Sequence, residues 1–302
     1  MKGKIKYYLG LANSYYKKYG LWTIFYLFFI EFILCVVIVR FIYFFKSIMY
    51  SGGPVLVNDY FMYLDPSDPG ASREMFIFGI REPTSTILMK KILKNKDVVI
   101  DIGANIGYYV CLEALRVAEV YAFEPVPSNY DLLKKNIDLN YFSNVHTFRY
   151  AVGDKCGTVG MVVPDKKNLA NIPQDGSKHT SGENIQVDMY TLDYLCKKMD
   201  ISPDFVRMDV EGYEFFIIQG MKDTLCSMKI GSWVFMEVHT HVLGDRVKDI
   251  YAVLKEYGFS EEYCIVEGKN PYRFNYGYLR SLFPGLHLPG DSHTMSFFRK
   301  IV

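Results

Sequence analysis

The run Asp101-Ile102-Gly103-Ala104-Asn105-Ile106-Gly107 joins a continuous apolar stretch, Val98–Ile102, to a segment with helical character. In an open α/β sheet, ligands bind at such loops, outside the carboxyl ends of strands buried on both faces. The spacing here is Gly-x-x-x-Gly. A dinucleotide site needs Gly-x-Gly-x-x-Gly so that the backbone can hug a pyrophosphate, and Asn105 stands where that third close contact would fall. A ligand with no phosphate and a charged amino-acid end suits the loop better. Asp101 attracts its ammonium, while the loop amides and the helix start beyond Gly107 receive its carboxylate. Glu124, in Phe123-Glu124-Pro125, follows at the end of the next apolar run. An acid there accepts hydrogen bonds from a ribose diol. Nicotinamide dinucleotides and S-adenosylmethionine both present that diol, so Glu124 alone leaves both open. Its other reading is a helix N-terminal acid.

A second polar group is drawn from two later segments. Asp209 ends Phe205–Asp209, with Glu211 and Glu214 on the turn that follows. Glu237 and His239 end the run from Trp233, and His241 lies just beyond. Asp209 is the first choice for a base or an acceptor-positioning group. His239 titrates near neutrality and suits a general base, with Glu211 beside it. Glu211 and Glu214 also read as a helix-start acid pair. No metal is assigned, although Asp209, Glu237 and His239 are types that hold a divalent cation.

These residues need an alternating frame to converge. Val98–Ile102, Val120–Phe123, His146–Val152, Phe205–Asp209, Trp233–Val238 and Met295–Arg299 read as strands. Thr84–Leu93, the stretch to about Val117, Ser128–Leu139, Tyr213–Met221 and about Asp245–Tyr257 read as helices. Alternation of this kind makes a doubly wound, mostly parallel sheet with right-handed crossovers. Residues 153–203 carry Gly, Asp and Asn turns and read as an inserted hairpin. The division is therefore 1–50 leader, 51–95 extension and 96–302 main domain.

The chain resembles the FkbM family of S-adenosylmethionine-dependent methyltransferases. Three blocks carry the likeness: Val99–Tyr108, Phe123-Glu124-Pro125 with Asn129 and Asn136, and Asp204–Gly212 with Glu214. Weaker echoes are Ala151–Asp154, Thr191–Asp193 and Glu237–His239. The resemblance covers about residues 80–260 and implies a Rossmann-like class I methyltransferase fold. It also implies methyl transfer mostly to oxygen, often on a sugar or natural-product hydroxyl. It assigns S-adenosylmethionine binding to Asp101, Gly103, Ala104, Asn105, Gly107 and Glu124, with Asp154 from the weaker echo. Arg207 departs from the lysine more usual before Asp-Val-Glu-Gly. Two other readings are a nicotinamide-dependent enzyme and a catalytically idle membrane-attached scaffold, which intact Asp101, Glu124 and Asp209 disfavour.

The 302 residues carry a net charge of +1, which points to no nucleic-acid partner. The charge is uneven, because the first 50 residues hold Lys2, Lys4, Lys6, Lys17, Lys18, Arg40 and Lys46 against Glu31 alone. Within them, Leu21–Val39 is apolar apart from Glu31, and at ~1.5 Å per residue it reaches ~28 Å, about one hydrocarbon thickness. Summed insertion energies of roughly −4 to −8 kcal/mol outweigh ~3 kcal/mol for one buried acid. The leader, over 21–45, thus reads as an N-terminal hydrophobic helix anchoring the chain to a membrane. A cofactor of the cytosol places the main domain on the cytoplasmic side, facing a glycan or lipid-linked acceptor. Six scattered cysteines, with no Cys-x-x-Cys, suit neither a zinc site nor a disulfide framework.

Overall fold

The computed structural model describes residues 39–50, 52–64, 71–95, 97–164, 170–173, 182–267 and 293–302. The chain divides into two compact units, one of residues 1–51 with 270–274 and one of the remainder. In the first, the described part is α1 (Val39–Met49), on which Phe41, Phe44, Phe45 and Ile48 are exposed. The apolar run Leu21–Val39 lies almost wholly outside the described residues. Among those described, no helix is long and apolar enough to cross a membrane.

The second unit opens with the hairpin β1 (Val55–Val57) and β2 (Tyr60–Met62), then α2 (Ala71–Phe78) and α3 (Pro83–Ile92). Pro83 suits the first turn of α3, where its missing N–H costs nothing, and Lys90 and Lys91 complement its C-terminal end. Alternation follows: β3 (Val98–Ile102), α4 (Tyr108–Ala114), β4 (Glu119–Phe123), α5 (Pro127–Leu139) and β5 (Val145–Phe148). Next come β6 (Ala151–Gly153), β7 (Gly157–Pro164), β8 (Gly182–Thr191), α6 (Leu192–Met199) and β9 (Phe205–Met208). The chain closes with α7 (Glu214–Gln219), α8 (Lys222–Ser227), β10 (Trp233–Val238), α9 (Thr240–Leu243), α10 (Arg246–Glu256), β11 (Phe259–Glu267) and β12 (His293–Lys300).

Seven strands form the main sheet in the order β11-β12-β10-β9-β3-β4-β5. All run parallel except β12, which is antiparallel to β10 and β11. The result is a mixed α/β fold with a largely parallel central sheet. β3 lies inside it, between β9 and β4, and is nearly all buried, as its largely apolar pattern requires. Phe123, Phe205, Phe235, Phe297 and Phe298 are fully buried along strands of the same sheet. Because β4 and β9 flank β3 on opposite sides, the strand order reverses there, and a crevice opens outside its carboxyl end.

Two local expectations are corrected and one strand is added. His146–Val152 is not one strand: the chain breaks at Arg149–Tyr150, and β6 leaves the main sheet to pair with β8. With the antiparallel β7–β8 pair it makes a three-stranded second sheet. Tyr213–Met221 is a shorter helix, α7, and the chain restarts as α8 past Gly220, whose Cα packs on the Gly153 carbonyl. Finally, β11, which shows no motif, pairs along β12 and fills that edge.

Candidate active site

Outside the carboxyl ends of β3, β4 and β9 lies a cleft of about 620 Å³, open solvent included. Gly103, Asn105, Glu124, Asn129, Asp209 and Glu211 give it polar walls. Tyr150, Val152, Met161, Ala170, Ile172 and Tyr213 give it an apolar one. A polar end and an aromatic, thioether-rich end suit a ligand with a charged head and a flat ring. The apolar wall comes partly from the second sheet.

Gly103 sits at φ 80° and packs against the end of β9 so closely that a Cβ would meet the Asp209 carbonyl oxygen at 2.0 Å. Only glycine allows the loop to lie there. Asn105, at φ 51°, donates its N–H to Glu124 Oε2 at 2.8 Å, and the Val126 N–H reaches Oε1 at 2.9 Å. The Glu124 carboxylate thus lines the cleft with one lone pair on each oxygen already used, and Asn129 hydrogen-bonds it as well. Burial pushes its pKa up to about 7, against the pull of those hydrogen bonds. Ala104 and Gly107 shape the loop rather than line the cleft. The Ala104 N–H bonds the Phe123 carbonyl, and Gly107, at φ 93°, packs on Leu133. Asp154 is exposed and off the cleft wall, beside the Tyr213 hydroxyl.

Asp101 is fully buried and does not line the cleft. Its neighbour across the β3–β9 register is Arg207. Arg207 Nη1 donates to Asp101 Oδ1 at 2.7 Å, and Nη2 to Asp209 Oδ2 at 3.1 Å. The guanidinium stacks over the Tyr109 ring, 4.2 Å from its centroid. Planarity lets one arginine fix two carboxylates at once, which a lysine ammonium cannot do in this geometry. Burial raises Asp209, but Arg207, His239 and Arg81 together outweigh it and leave the carboxyl below its ordinary range. Burial, with Asp209 beside it, pushes the Glu237 carboxyl well above its ordinary range, and Glu237 hydrogen-bonds Asp209.

His239 is fully buried among carboxyl groups: Nδ1 is 2.6 Å from Glu214 Oε1, and Nε2 is 3.3 Å from Glu211 Oε2 and 3.7 Å from Glu237 Oε1. Burial opposes its charge, yet Glu211 and Glu214 overcome that and push its pKa up to about 12. At neutral pH the ring is therefore an imidazolium with no lone pair for a base to use. Asp209, Glu211 and His239 bring ligand atoms within 4.8 Å of one another, with Glu211 in place of the Glu237 of the sequence trio. His241 is exposed one turn on.

The sequence reading missed Tyr108 and Tyr109, which follow the glycine loop directly. The Tyr108 hydroxyl receives the Arg81 N–H at 3.0 Å and donates to the Arg81 carbonyl at 2.7 Å. The Tyr109 hydroxyl donates to Glu82 Oε2 at 2.7 Å. Adjacent aromatics after a glycine loop read as ordinary core, and Arg81-Glu82-Pro83 reads as a helix start, so neither announced the pairing.

Fold and cleft define an α/β ligand-binding domain with its site at the switch point of a parallel sheet. The methyltransferase FkbM domain matches residues 101–261, just over half of the chain. The chain belongs to the FkbM methyltransferase family. It is 30% identical over 168 residues to the hexuronic acid methyltransferase AglP of Haloferax volcanii, covering 55% of this chain and 64% of that one. It is 28% identical over 171 residues to the 2-O-methyltransferase NoeI of Sinorhizobium fredii, covering 50% and 70%. The chain thus spans somewhat less than two thirds of the length of its archaeal relative. Among solved structures, an FkbM methyltransferase from Methylobacillus flagellatus is similar at a TM-score of 0.43 and 17% identity, covering 68% of this chain and 44% of that one.

Proposed function

We propose that this protein is an S-adenosylmethionine-dependent O-methyltransferase of class I architecture that acts on a hydroxyl of a glycan, glycolipid or other lipid-linked small molecule. The observation that carries this reading is Glu124, held by two backbone amides and lining a cleft whose other polar wall is Asp209. Gly103, Asn105 and Glu124 would hold the cofactor's polar portion, and Tyr150, Met161, Ile172 and Tyr213 its ring. When bound, the cofactor supplies an electrophilic methyl carbon on a sulfonium sulfur, which departs as a thioether with the electron pair of the broken C–S bond. Asp209 orients the acceptor hydroxyl and takes its proton as the new O–C bond forms. Arg207 and Glu237 hold the Asp209 carboxylate in place for that task, and reactants so aligned need no strong base. His239 acts as a fixed cation that keeps Glu211 and Glu214 in position. One named relative is a hexuronic acid methyltransferase, which supports a sugar as acceptor, and the other is a 2-O-methyltransferase, which supports an oxygen on it.

The leader supports a location at the membrane with the main domain facing the cytoplasm, and the exposed Phe41, Phe44, Phe45 and Ile48 of α1 agree with it. Titration calorimetry with S-adenosylmethionine tests the cofactor, and incubation of labelled cofactor with membrane and soluble extracts tests the acceptor. Absence of cofactor binding sinks the reading, whereas methyl uptake confined to soluble extract removes the lipid-linked acceptor.

A further inference from the structure

Asp209 belongs to two neighbourhoods. It lines the cleft with Gly103 and Glu124, and it also meets a group of charged side chains that do not line that cleft: Arg81, Glu237 and His239. Arg81 and Glu82 come from the turn before α3, ahead of the region that the family match covers.

That turn is built with care. Glu82 is buried and holds φ 45°, a left-handed conformation that costs a non-glycine residue stability unless neighbours enforce it. The enforcing contacts are present. Tyr108 pins the Arg81 backbone on both sides, Thr86 Oγ1 donates to the Arg81 carbonyl at 2.8 Å, and Tyr109 holds Glu82 Oε2. Glu82 Oε1 in turn receives Arg81 Nε at 2.6 Å. The guanidinium is therefore fixed through Nε, while its two Nη nitrogens make no hydrogen bond among the described residues. The side chain stays 21% exposed. Its charge bears on Asp209 and Glu237, and contacts join the two neighbourhoods: Tyr109, which holds Glu82, lies under the Arg207 guanidinium that donates to Asp209. A strained turn that presents an unused fork beside a reacting group is the mark of a binding residue.

We propose that Arg81 is an acceptor-binding residue: its Nη fork donates to a hydroxyl of a vicinal diol on a neutral sugar ring while Asp209 receives the neighbouring, reacting hydroxyl. Glu82 is the positioning residue that aims it. This deepens the methyltransferase reading and rests on it. A neutral polyol is favoured over an acidic sugar because each cation here already has its carboxylate, Arg81 with Glu82, Arg207 with Asp101 and Asp209, and His239 with Glu211 and Glu214, which leaves no unmatched cation for an anionic acceptor. Hydroxyls suit both sides of the site, accepting from the guanidinium and donating to the acids.

The test uses the full chain saturated with S-adenosylhomocysteine, with methyl β-glucopyranoside and methyl β-glucopyranosiduronate as probes in saturation-transfer NMR. Wild type is expected to transfer saturation to the glucoside ring protons. Arg81→Met should reduce the signal at least tenfold, with calorimetric affinity for S-adenosylhomocysteine within twofold of wild type. Glu82→Gln, which keeps an oxygen for Tyr109 but loses the charge that holds Nε, should reduce it about three- to tenfold with the same cofactor affinity. Arg81→Lys serves if the Met variant fails to fold, and should lose most of the signal because an ammonium has no fork. A glucoside signal unchanged by these variants overturns the proposal. So does stronger saturation of the glucuronoside, or no glucoside signal in wild type. Failure of wild type to bind S-adenosylhomocysteine is a separate result, which overturns the methyltransferase reading and with it the assignment of Arg81.

Discussion

Arg207 sits between two carboxylates in the middle of the sheet, and its loss is felt on both sides. Arg207→Met leaves Asp101 buried with no counter-charge and frees Asp209 from one of its restraints. Breaking a buried pair by removing one partner costs about 3–5 kcal/mol. Urea unfolding should show a loss of that size at pH 7 and a smaller one as the pH falls, since burial already raises Asp101 and a protonated Asp101 needs no counter-charge. A loss below ~1 kcal/mol would contradict the pairing. Glu124 makes a prediction of the opposite sign. Its folded pKa of about 7 exceeds its ordinary 4.5, so between those values the folded state holds more protons than the unfolded one. Its contribution to stability therefore falls as pH rises from about 4.5 to 7. Glu124→Gln should remove that part of the slope, seen as a wild-type-minus-variant difference in melting curves across pH 5–7.5. Ribose binding needs the ionised form. Wild-type affinity for S-adenosylhomocysteine should climb from pH 6 to pH 8, and that of the variant should stay low and flat.

At the scale of elements, the loop between β3 and α4 has a conformation set by its neighbours. Gly103→Ala would put a methyl group 2.0 Å from the Asp209 carbonyl oxygen, at a φ of 80° that alanine resists. The loop must then lift from β9. We expect cofactor affinity to fall at least tenfold by calorimetry, with a stability cost of about 1–3 kcal/mol from the strained backbone. Retained affinity would show that the loop does not need its contact with β9. The glycines and Asn105 of this loop were legible in the sequence because a left-handed backbone selects for such residues. The pairing of β6 with β8 was not, since a break at Arg149–Tyr150 leaves the apolar pattern of His146–Val152 intact.

For the whole molecule, the open question is where it resides. If the apolar leader anchors the chain, the full-length protein should stay with the membrane pellet after carbonate extraction at pH 11 and leave it in detergent. Release by carbonate alone would show that the leader lies on the surface, and recovery in the soluble fraction would remove the anchor. The α1 face, with Phe41, Phe44, Phe45 and Ile48 open to solvent, is a second apolar surface adjoining that leader in sequence.

Read by itself, the sequence determined the alternating α/β frame, the glycine loop at the end of β3, the acid at the end of β4 and the family. Each rests on neighbours in sequence: runs buried on both faces, left-handed positions, blocks of fixed spacing. Only the tertiary structure decided what the charged residues do. Asp101 and Arg207 are 106 positions apart and meet because β3 and β9 lie side by side. His239 looked like a base until burial among Glu211, Glu214 and Glu237 made it a cation. A side chain's charge state depends on what surrounds it in space, and the order of the chain does not carry that.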